Sequence, residues 1–371
     1  MTESSTLFTP TTIGTLVLKN RIAVAPMTRT SASADGLATD DMARYYARFA
    51  RGGHALVITE GTYPDLLHSQ GYLHQPGIAN TAQADAWRKV VDAVHAEGSK
   101  IVLQLMHAGA LSQGTHWEPG TVAPSAVQPL GTQMGFYRGE GPYPLPAEMT
   151  LAEIDAVTAA FASAAGRAKQ AGFDGVEIHG ANGYLLDQFL TAHTNERTDQ
   201  YGGSTLDRVR LLVEVSQAVR REVGDDFTVG MRISQGKVND YEHKWAKGEQ
   251  DAKDIFESLA GAGIDYLHTT EFDAAAPAFG EGESLAALAV RYGRLPVIAN
   301  GQLGEPDKAE ALIERGDAAL VTLGKAALAN PDWPLRVAGA APITEFDFAL
   351  LQPLANIKQS ELEQETLAPT P

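Results

Sequence analysis

Short apolar runs alternate along the chain with longer segments in which apolar residues recur every three or four positions. Runs that are apolar on both faces are typical of strands in a parallel sheet, and the longer segments have the period of helices. The chain contains eight such runs, over residues 22–25, 55–59, 101–105, 175–178, 228–233, 266–267, 296–299 and 318–323. Because they alternate with helical segments, they predict an α/β protein.

The helical segments carry their own start and stop signals. Apolar residues recur at helical spacing over 150–171, where Thr150 followed by Glu153 predicts a capping box and Gly172 predicts the end. A further helix is predicted over 207–223. Both lie between predicted strands, as the βα alternation requires.

Eight strand–helix units favour a closed (β/α)₈ barrel, a TIM barrel, over an open doubly wound sheet, although the count alone does not separate the two. Residues 7–19 carry Gly14 between β-branched residues and predict a hairpin that closes the barrel floor; a plain N-terminal arm is the alternative. Residues 107–149 are rich in Gly and Pro and too long for an ordinary connection, so we expect a lid or substrate loop after the third strand.

The organisation of the rest of the chain is simple. No internal repeat or linker divides residues 1–371, which predicts a single domain. The segment 357–371 is acidic and contains proline, and we expect it to be a flexible tail.

Composition narrows the possible functions. The 371 residues carry 29 Lys plus Arg against 46 Asp plus Glu, a net charge of −17, which argues against a nucleic-acid partner. The absence of cysteine excludes disulfides, thiolate zinc sites and iron–sulfur clusters, and we predict no metal site. No run approaches 18 apolar residues and no secretory pattern opens the chain, so we expect a cytoplasmic protein without a membrane partner.

The common cofactor and hydrolase motifs are missing from the sequence. There is no Gly-x-Gly-x-x-Gly after a strand, no Walker A sequence, no His-Glu-x-x-His and no Gly-x-Ser-x-Gly. In a barrel, the residues at the carboxyl ends of the strands are then the candidates for chemistry.

The end of the fourth run carries a dense polar cluster. His179 and Asn182 can both donate to one oxygen, which stabilises charge that develops on a carbonyl or nitro group. Tyr184 is protonated at neutral pH and can give up a proton. The alternative is structural: His179 caps the strand, Asn182 forms a turn with Gly183, and Tyr184 packs.

Three other strands end in residues that suit an anion. Arg232, in the fifth run, is a charge whose burial requires an anionic partner, although a structural salt bridge would also explain it. Gly301 and Gln302 follow the seventh run, and Gly324 and Lys325 follow the eighth, where barrels often bind phosphate. Simple strand termination is the alternative for the two glycines.

Four stretches resemble the Old Yellow Enzyme family of flavin-dependent ene-reductases. They are LKNRIAVAPMTR at 18–29, QLMHAG at 104–109, GVEIHGANGYLLDQF at 175–189 and NERTDQYGGS at 195–204. The resemblance runs in order and at family spacing from about residue 7 to Val337, and it is most specific over 172–204. It implies an FMN-containing (β/α)₈ barrel with a floor hairpin.

The resemblance also implies roles for individual residues. Thr28 would contact a ring carbonyl and tune the reduction potential, and Arg232 would face the pyrimidine end of the flavin. His179 and Asn182 would bind the activating oxygen of the substrate, while Tyr184 would protonate the alkene carbon opposite the hydride. The implied non-covalent FMN site consists of Pro26, Met27, Thr28, Gly61, Gln104, His179, Arg232, Gly301, Gln302, Gly324 and Lys325, with the last four at the phosphate.

The activity implied is a ping-pong reduction of the activated C=C bond of α,β-unsaturated carbonyl or nitro compounds, with NAD(P)H as co-substrate. The partners are then NAD(P)H and a small electrophilic alkene, and the protein would be a monomer or homodimer. Reduction of nitrate esters, nitroaromatics or quinones at the same site is an alternative. A non-redox lyase or isomerase that binds a phosphorylated substrate in a barrel is another.

The chain departs from the family pattern at several positions. Lys325 replaces the usual arginine and cannot make a bidentate phosphate contact, so FMN is expected to bind less tightly. Asp207 stands where asparagine is common. Thr28, in a chain without cysteine, resembles the classical branch of the family. The loop 107–149, with Tyr137, follows no family pattern, and we expect it to determine substrate choice.

Overall fold

Eight parallel strands form a closed barrel in the computed structural model, which describes residues 5–364, 366 and 367. Each strand pairs with the next in the chain, and the eighth closes the ring by pairing with the first. The predicted barrel is confirmed, and the open sheet is wrong. The strands are β1 (Ile22–Val24), β2 (Leu56–Ile58), β3 (Lys100–Leu105), β4 (Gly175–Asn182), β5 (Thr228–Lys237), β6 (Tyr266–Thr270), β7 (Val297–Asn300) and β8 (Leu320–Leu323).

Helices connect the strands. The helix predicted from residue 150 has both hydrogen bonds of its capping box, between Thr150 and Glu153, and it ends at Gly172 with a φ of 97°. No helix among the described residues is both long and apolar enough to span a bilayer. The helices are α1 (Asp40–Arg51), α2 (Thr81–Ala96), α3 (Leu151–Ala171), α4 (Leu185–Leu190), α5 (Thr205–Arg208), α6 (Arg210–Val223), α7 (Glu249–Ala260), α8 (Leu285–Gly293), α9 (Pro306–Glu314), α10 (Lys325–Ala329), α11 (Trp333–Ala338) and α12 (Gln359–Leu362).

A hairpin closes the floor of the barrel, as predicted. Its antiparallel strands, Thr11–Ile13 and Leu16–Leu18, bury Ile13, Leu16 and Leu18 against residues of the barrel interior. Gly14 turns the chain with a φ of 55°, and the backbone N–H of Thr15 donates to Oγ1 of Thr228 at the start of β5 over 3.0 Å. With the floor filled by apolar side chains, the opposite end of the barrel is the end left for a ligand.

The segment 107–149 forms a long irregular excursion after β3. It contains a parallel pair, Val122–Ala123 with Ala147–Glu148, and two turns of 3₁₀ helix at Gly109–Leu111 and Gly135–Tyr137. The second turn lies over the carboxyl end of the barrel, where a lid or substrate loop was expected.

The C-terminal segment is packed where a flexible tail was expected. The prediction over 357–371 is wrong for its described part, because α12 docks onto the barrel and Glu361 is only 2% exposed. Glu361 pairs with Arg29 and Arg48 at 2.5 and 3.1 Å. The two buried guanidinium groups require a carboxylate partner. Glu361 provides it, so this part of the acidic segment is packed against the barrel. Residues 365 and 368–371 lie outside the described residues.

Candidate active site

A cavity of about 1110 Å³ lies at the carboxyl end of the barrel strands. Its walls come from the ends of every barrel strand except β6, from the 107–149 loop and from the C-terminal segment. Most residues predicted for the site line it: Pro26, Met27, Thr28, Gly61, Gln104, His179, Asn182, Tyr184, Arg232, Gly324 and Lys325. Gly301 and Gln302 are outside its walls.

β4 is longer than the sequence predicted and carries the polar cluster itself. The expected strand ended before His179, but β4 stays paired with β5, with His179 opposite Arg232 and Gly180 opposite Ile233. The register then shifts before Asn182, whose φ of 61° is a left-handed conformation that asparagine tolerates better than most residues. The first donor therefore projects from a rigid strand and the second from its irregular end.

The His179 ring is a neutral hydrogen-bond donor. Burial lowers its pKa well below the usual value, and the nearby charge of Arg232 lowers it further. The backbone N–H of Ala181 donates to Nδ1 of His179 over 3.3 Å, so the ring proton is on Nε2. Neutral His179 can therefore offer an N–H to a substrate oxygen without being an acid.

Tyr184 belongs to a tyrosine cluster that the sequence did not reveal. Its hydroxyl is 2.6 Å from that of Tyr72, and burial raises the pKa of both. The rings of Tyr137 and Tyr72 pack with centroids 4.6 Å apart and planes tilted by 46°, and those of Tyr184 and His179 pack edge to face at 5.1 Å. Tyr184 is thus held fully protonated, next to the neutral His179 ring.

Arg232 is buried without a carboxylate partner. It is 5% exposed, its guanidinium donates to Oδ1 of Asn300 over 3.2 Å, and its Nε has no hydrogen-bond partner among the described residues. Within residues 5–364, 366 and 367, no carboxylate lies within 4.0 Å of the guanidinium, which argues against the structural salt bridge. Burial lowers the pKa of Arg232, and the more distant charge of Glu177 opposes this shift.

The loop after β1 is held rigidly beside the cavity. The buried carboxylate of Glu60 accepts the backbone N–H groups of Arg29 and Thr30 at 2.9 and 3.0 Å. Tyr137 donates its hydroxyl to the backbone carbonyl of Thr28 over 3.2 Å. The backbone at Thr28 is therefore held by a hydrogen bond to its own carbonyl and by those to the two residues that follow it.

On the next two strands, Gly61 and Gln104 occupy tightly packed positions. A Cβ at position 61 would lie 2.5 Å from Sδ of Met106, so a larger residue there would require the Met106 side chain to move. Gln104 is 2% exposed and donates through Nε2 to Glu177 over 2.8 Å. Both residues are thus fixed before any ligand binds.

The exits of β7 and β8 differ from each other. Gly324 and Lys325 line the cavity, with Lys325 exposed at its mouth. Gly301 is instead enclosed by packing, because its φ is 140° and a Cβ would lie 2.4 Å from the carbonyl oxygen of Glu271. Gln302 is exposed. The placement supports the phosphate hypothesis for the β8 exit and gives a structural reason for Gly301.

Residues 6–342 match the model of the NADH:flavin oxidoreductase / NADH oxidase family. The chain belongs to this family. The Old Yellow Enzyme homologue of Zymomonas mobilis superposes with a TM-score of 0.88 at 31% identity, covering 98% of this chain and all of that one. The resemblance to the Old Yellow Enzyme family is thereby confirmed, and the non-redox lyase or isomerase alternative is set aside.

Two curated relatives show how the chain compares in length with other members of this flavin oxidoreductase family. A probable flavin mononucleotide-dependent alkene reductase of Leishmania infantum is 37% identical over 345 residues, or 91% of this chain and 92% of that one. An NADH oxidase of Thermoanaerobacter brockii is 33% identical over 348 residues, which cover 90% of this chain. The chain spans only about half (51%) of that oxidase.

The residues present fit FMN, the cofactor of this flavin oxidoreductase family. The buried Nε of Arg232 lacks an acceptor, and the pyrimidine end of a flavin can provide one. The Gln104 amide reaches the same cavity wall, and the charge of Lys325 stands at the mouth. An electron-rich ring inside and a phosphate outside would satisfy these groups.

Several residues that line the cavity of this flavin oxidoreductase, or contact a residue that does, were not predicted. Tyr72 lies 112 residues before Tyr184, and no local pattern connects the two. Phe346, Phe348 and Leu351 line the cavity beyond Val337, where the sequence motifs stop. Their only sequence signal is an apolar run, FDFALL, outside any predicted strand or helix.

Proposed function

We propose that this protein is an FMN-dependent enzyme that reduces activated C=C bonds with NAD(P)H in a ping-pong cycle. Membership of the flavin oxidoreductase family supports the redox chemistry. The observation that carries the proposal is the set of donors in one cavity: the hydrogen-bond donors His179, neutral with its proton on Nε2, and Asn182, together with the fully protonated Tyr184.

Each of these residues has a distinct task in the reduction. Hydride transfer from NAD(P)H and onto the β-carbon of the alkene is the chemistry that FMN supplies when bound. His179 and Asn182 donate to the carbonyl or nitro oxygen and stabilise the charge that develops there, with each donor contributing roughly 3 kcal/mol. Tyr184 delivers its proton to the α-carbon, and burial, which raises its pKa, keeps the phenol protonated at neutral pH until then.

The remaining contacts belong to the same proposal. Thr28 contacts a ring carbonyl, Arg232 faces the pyrimidine end, and Gly324 with Lys325 holds the phosphate. Pro26, Met27, Gly61 and Gln104 complete the wall. Substrate choice is proposed to depend on the 107–149 loop, because Met134, Phe136 and Tyr137 form one side of the cavity.

Tyr184→Phe tests the proposal and separates it from the alternative acceptors. We expect oxidation of the reduced enzyme by 2-cyclohexenone to slow by about 10²-fold or more, since a general acid contributes roughly 10²–10⁴-fold. Flavin reduction by NAD(P)H should change little, because that half-reaction needs no proton from Tyr184. Reduction of a nitrate ester or a quinone, which requires no carbon protonation, should also be retained.

Stopped-flow absorbance of the flavin measures both half-reactions. Tyr292→Phe on α8 is the matched control and should behave as the unaltered enzyme. Equal slowing of the two half-reactions would contradict the proton-donor role. If NAD(P)H reduces the flavin of the unaltered enzyme but enones do not reoxidise it, nitrate esters, nitroaromatics or quinones remain as the electron acceptors.

We also propose a cytoplasmic location and a monomeric or homodimeric state, with no nucleic-acid or membrane partner. Use of NAD(P)H and the net charge of −17 support the location and the absence of nucleic acid. Size-exclusion chromatography with light scattering tests the oligomeric state, and a species larger than a dimer would contradict it.

A further inference from the structure

The carboxylate of Glu177 is buried in the barrel beneath the cavity and has no role in the function proposed above. Glu177 lies in β4 and is 0% exposed. Its Oε1 accepts Nε2 of Gln104 at 2.8 Å, while its Oε2 accepts the Tyr266 hydroxyl at 3.1 Å and is 2.8 Å from Nδ1 of His268. A buried carboxylate with three hydrogen-bond partners can stabilise the fold, and it can also influence a ligand bound in the cavity above it.

The first consequence concerns the amide of Gln104, which lines the cavity. An ionised carboxylate only accepts hydrogen bonds, so the NH₂ end of Gln104 must point to Glu177. The amide oxygen of Gln104 is then the end left for the cavity. Glu177 thereby determines that position 104 offers an acceptor, and the N–H of a flavin pyrimidine ring requires one.

The second consequence concerns charge. Burial raises the pKa of Glu177, but His268 and Arg232 together with the Gln104 hydrogen bond lower it to about 2, so the group is ionised. Burial lowers the pKa of His268, against the opposing effect of Glu177. A neutral His268 ring can direct its Nδ1–H to Glu177, and its Nε2 lies 3.0 Å from Oγ1 of Thr322, a hydroxyl that is also 3.3 Å from the carbonyl oxygen of Ala299.

The negative charge of Glu177 and the positive charge of Arg232 therefore offset each other inside the barrel. With His268 neutral, Glu177 and Arg232 are the negative and positive charges below and beside the cavity. Each shifts the pKa of the other towards the ionised state without a direct contact. Because solvent screens charges poorly in this enclosed interior, removing either charge should also change the electrostatic potential at the place in the cavity where the flavin ring would bind.

We propose that Glu177 is a positioning residue that sets the reduction potential of the bound flavin. It orients the Gln104 amide and offsets the positive charge of Arg232. This inference rests on the FMN dependence proposed above. Since reduction places negative charge on the flavin, the carboxylate lowers the potential and Arg232 raises it.

The sign of the shift makes the inference testable. Glu177→Gln keeps the size of the side chain and can still accept from Gln104, but it removes the charge, so we expect the potential to rise. Tyr266→Phe leaves the carboxylate ionised and removes one of its donors, so its effective charge grows and the potential should fall. A purely structural role would not move the two variants in opposite directions.

The potential of each FMN-loaded variant is measured by anaerobic titration against a reference dye. We expect Glu177→Gln to favour binding of reduced over oxidised FMN at least tenfold more than the unaltered protein, which corresponds to about 30 mV for a two-electron couple. Asp251→Asn is the matched control, because Asp251 is a 2%-exposed carboxylate on α7, outside the cavity walls. Its potential should not change.

An unchanged or lowered potential in Glu177→Gln would overturn the proposal. If that variant does not load FMN, Tyr266→Phe decides, and an unchanged or raised potential overturns it equally. The measurement needs no alkene, so its result is independent of the proposed substrate. A protein that binds FMN but does not reduce enones would refute the proposed function, and the potentials of the variants would still test this inference.

Discussion

On the β4–β5 side of the cavity, His179 and Arg232 are almost fully buried on paired strands, whereas on the β7–β8 side Lys325 is exposed and Gly324 presents only backbone. The groups on the first side are desolvated and have few alternative positions, so each interacts strongly with its neighbours through hydrogen bonds and charge. The second acts through a backbone turn and a point charge in water, where electrostatic effects are screened. Substitutions of equal size should therefore have unequal effects on the two sides.

The largest effect is expected from removing both donors on the β4 side. His179→Ala with Asn182→Ala should slow oxidation by 2-cyclohexenone by at least about 10²-fold, because one such donor contributes about 10²–10³-fold. The double variant should also lose the long-wavelength charge-transfer band that a bound phenol gives with an oxidised flavin. Absorbance titration with a phenol measures this.

The His95→Gln variant, altered on the outer surface of α2, is the control and should keep the band. A band of unchanged intensity in the double variant would show that the phenol oxygen binds elsewhere. The buried side of the cavity would then lose its assigned function.

The next largest effect is expected from Arg232→Met. Loss of a hydrogen bond to a charged donor in a buried site costs about 1.5–3 kcal/mol, so the Kd for FMN should rise roughly 10- to 100-fold. Arg44→Met, at a half-exposed ion pair on α1, should leave the Kd unchanged. Quenching of flavin fluorescence measures both. A Kd within twofold of the original would mean that the orphaned Nε of Arg232 has no flavin partner.

A smaller effect is expected from Gly301→Ala, and it bears on stability instead of binding. The new Cβ would meet the carbonyl of Glu271 in a backbone conformation that L-residues rarely adopt, so the apoprotein should lose about 1–3 kcal/mol. Gly261→Ala, at a negative φ where the new Cβ meets only the Ser258 carbonyl at an ordinary 3.8 Å, is the control. Thermal unfolding of the apoproteins measures the loss. An unchanged melting temperature with weaker FMN binding would return Gly301 to the phosphate site.

The contrast between the two sides also explains which features the sequence could predict. The barrel, its floor hairpin and the α3 capping box follow from local patterns, which act within a few residues. His179, Asn182 and Arg232 were found because polar residues interrupt apolar runs. The length of β4 was missed, since pairing with β5 keeps polar residues in a strand.

Contacts between distant parts of the chain left no local trace. Tyr72 and Tyr184 meet only in the folded chain, and Glu361 is buried because two arginines more than 300 residues away require a carboxylate. The sequence of an acidic C-terminal segment is therefore the same whether its carboxylates are exposed to water or bound to buried arginines. Tertiary pairing decides between the two.

The smallest effects are expected at Lys325, on the open side. Lys325→Arg should tighten FMN binding by a few fold, because a guanidinium can contact phosphate in a bidentate manner and an ammonium cannot. Lys325→Met should weaken binding by a similar factor at low ionic strength, and the difference should shrink as salt is added. Lys89→Met, an exposed lysine on α2, is the control, and isothermal titration of apoprotein with FMN measures all three. If Lys325→Met binds FMN as tightly as the original protein at every salt concentration, Lys325 makes no phosphate contact, and the backbone at Gly324 must hold the phosphate without it.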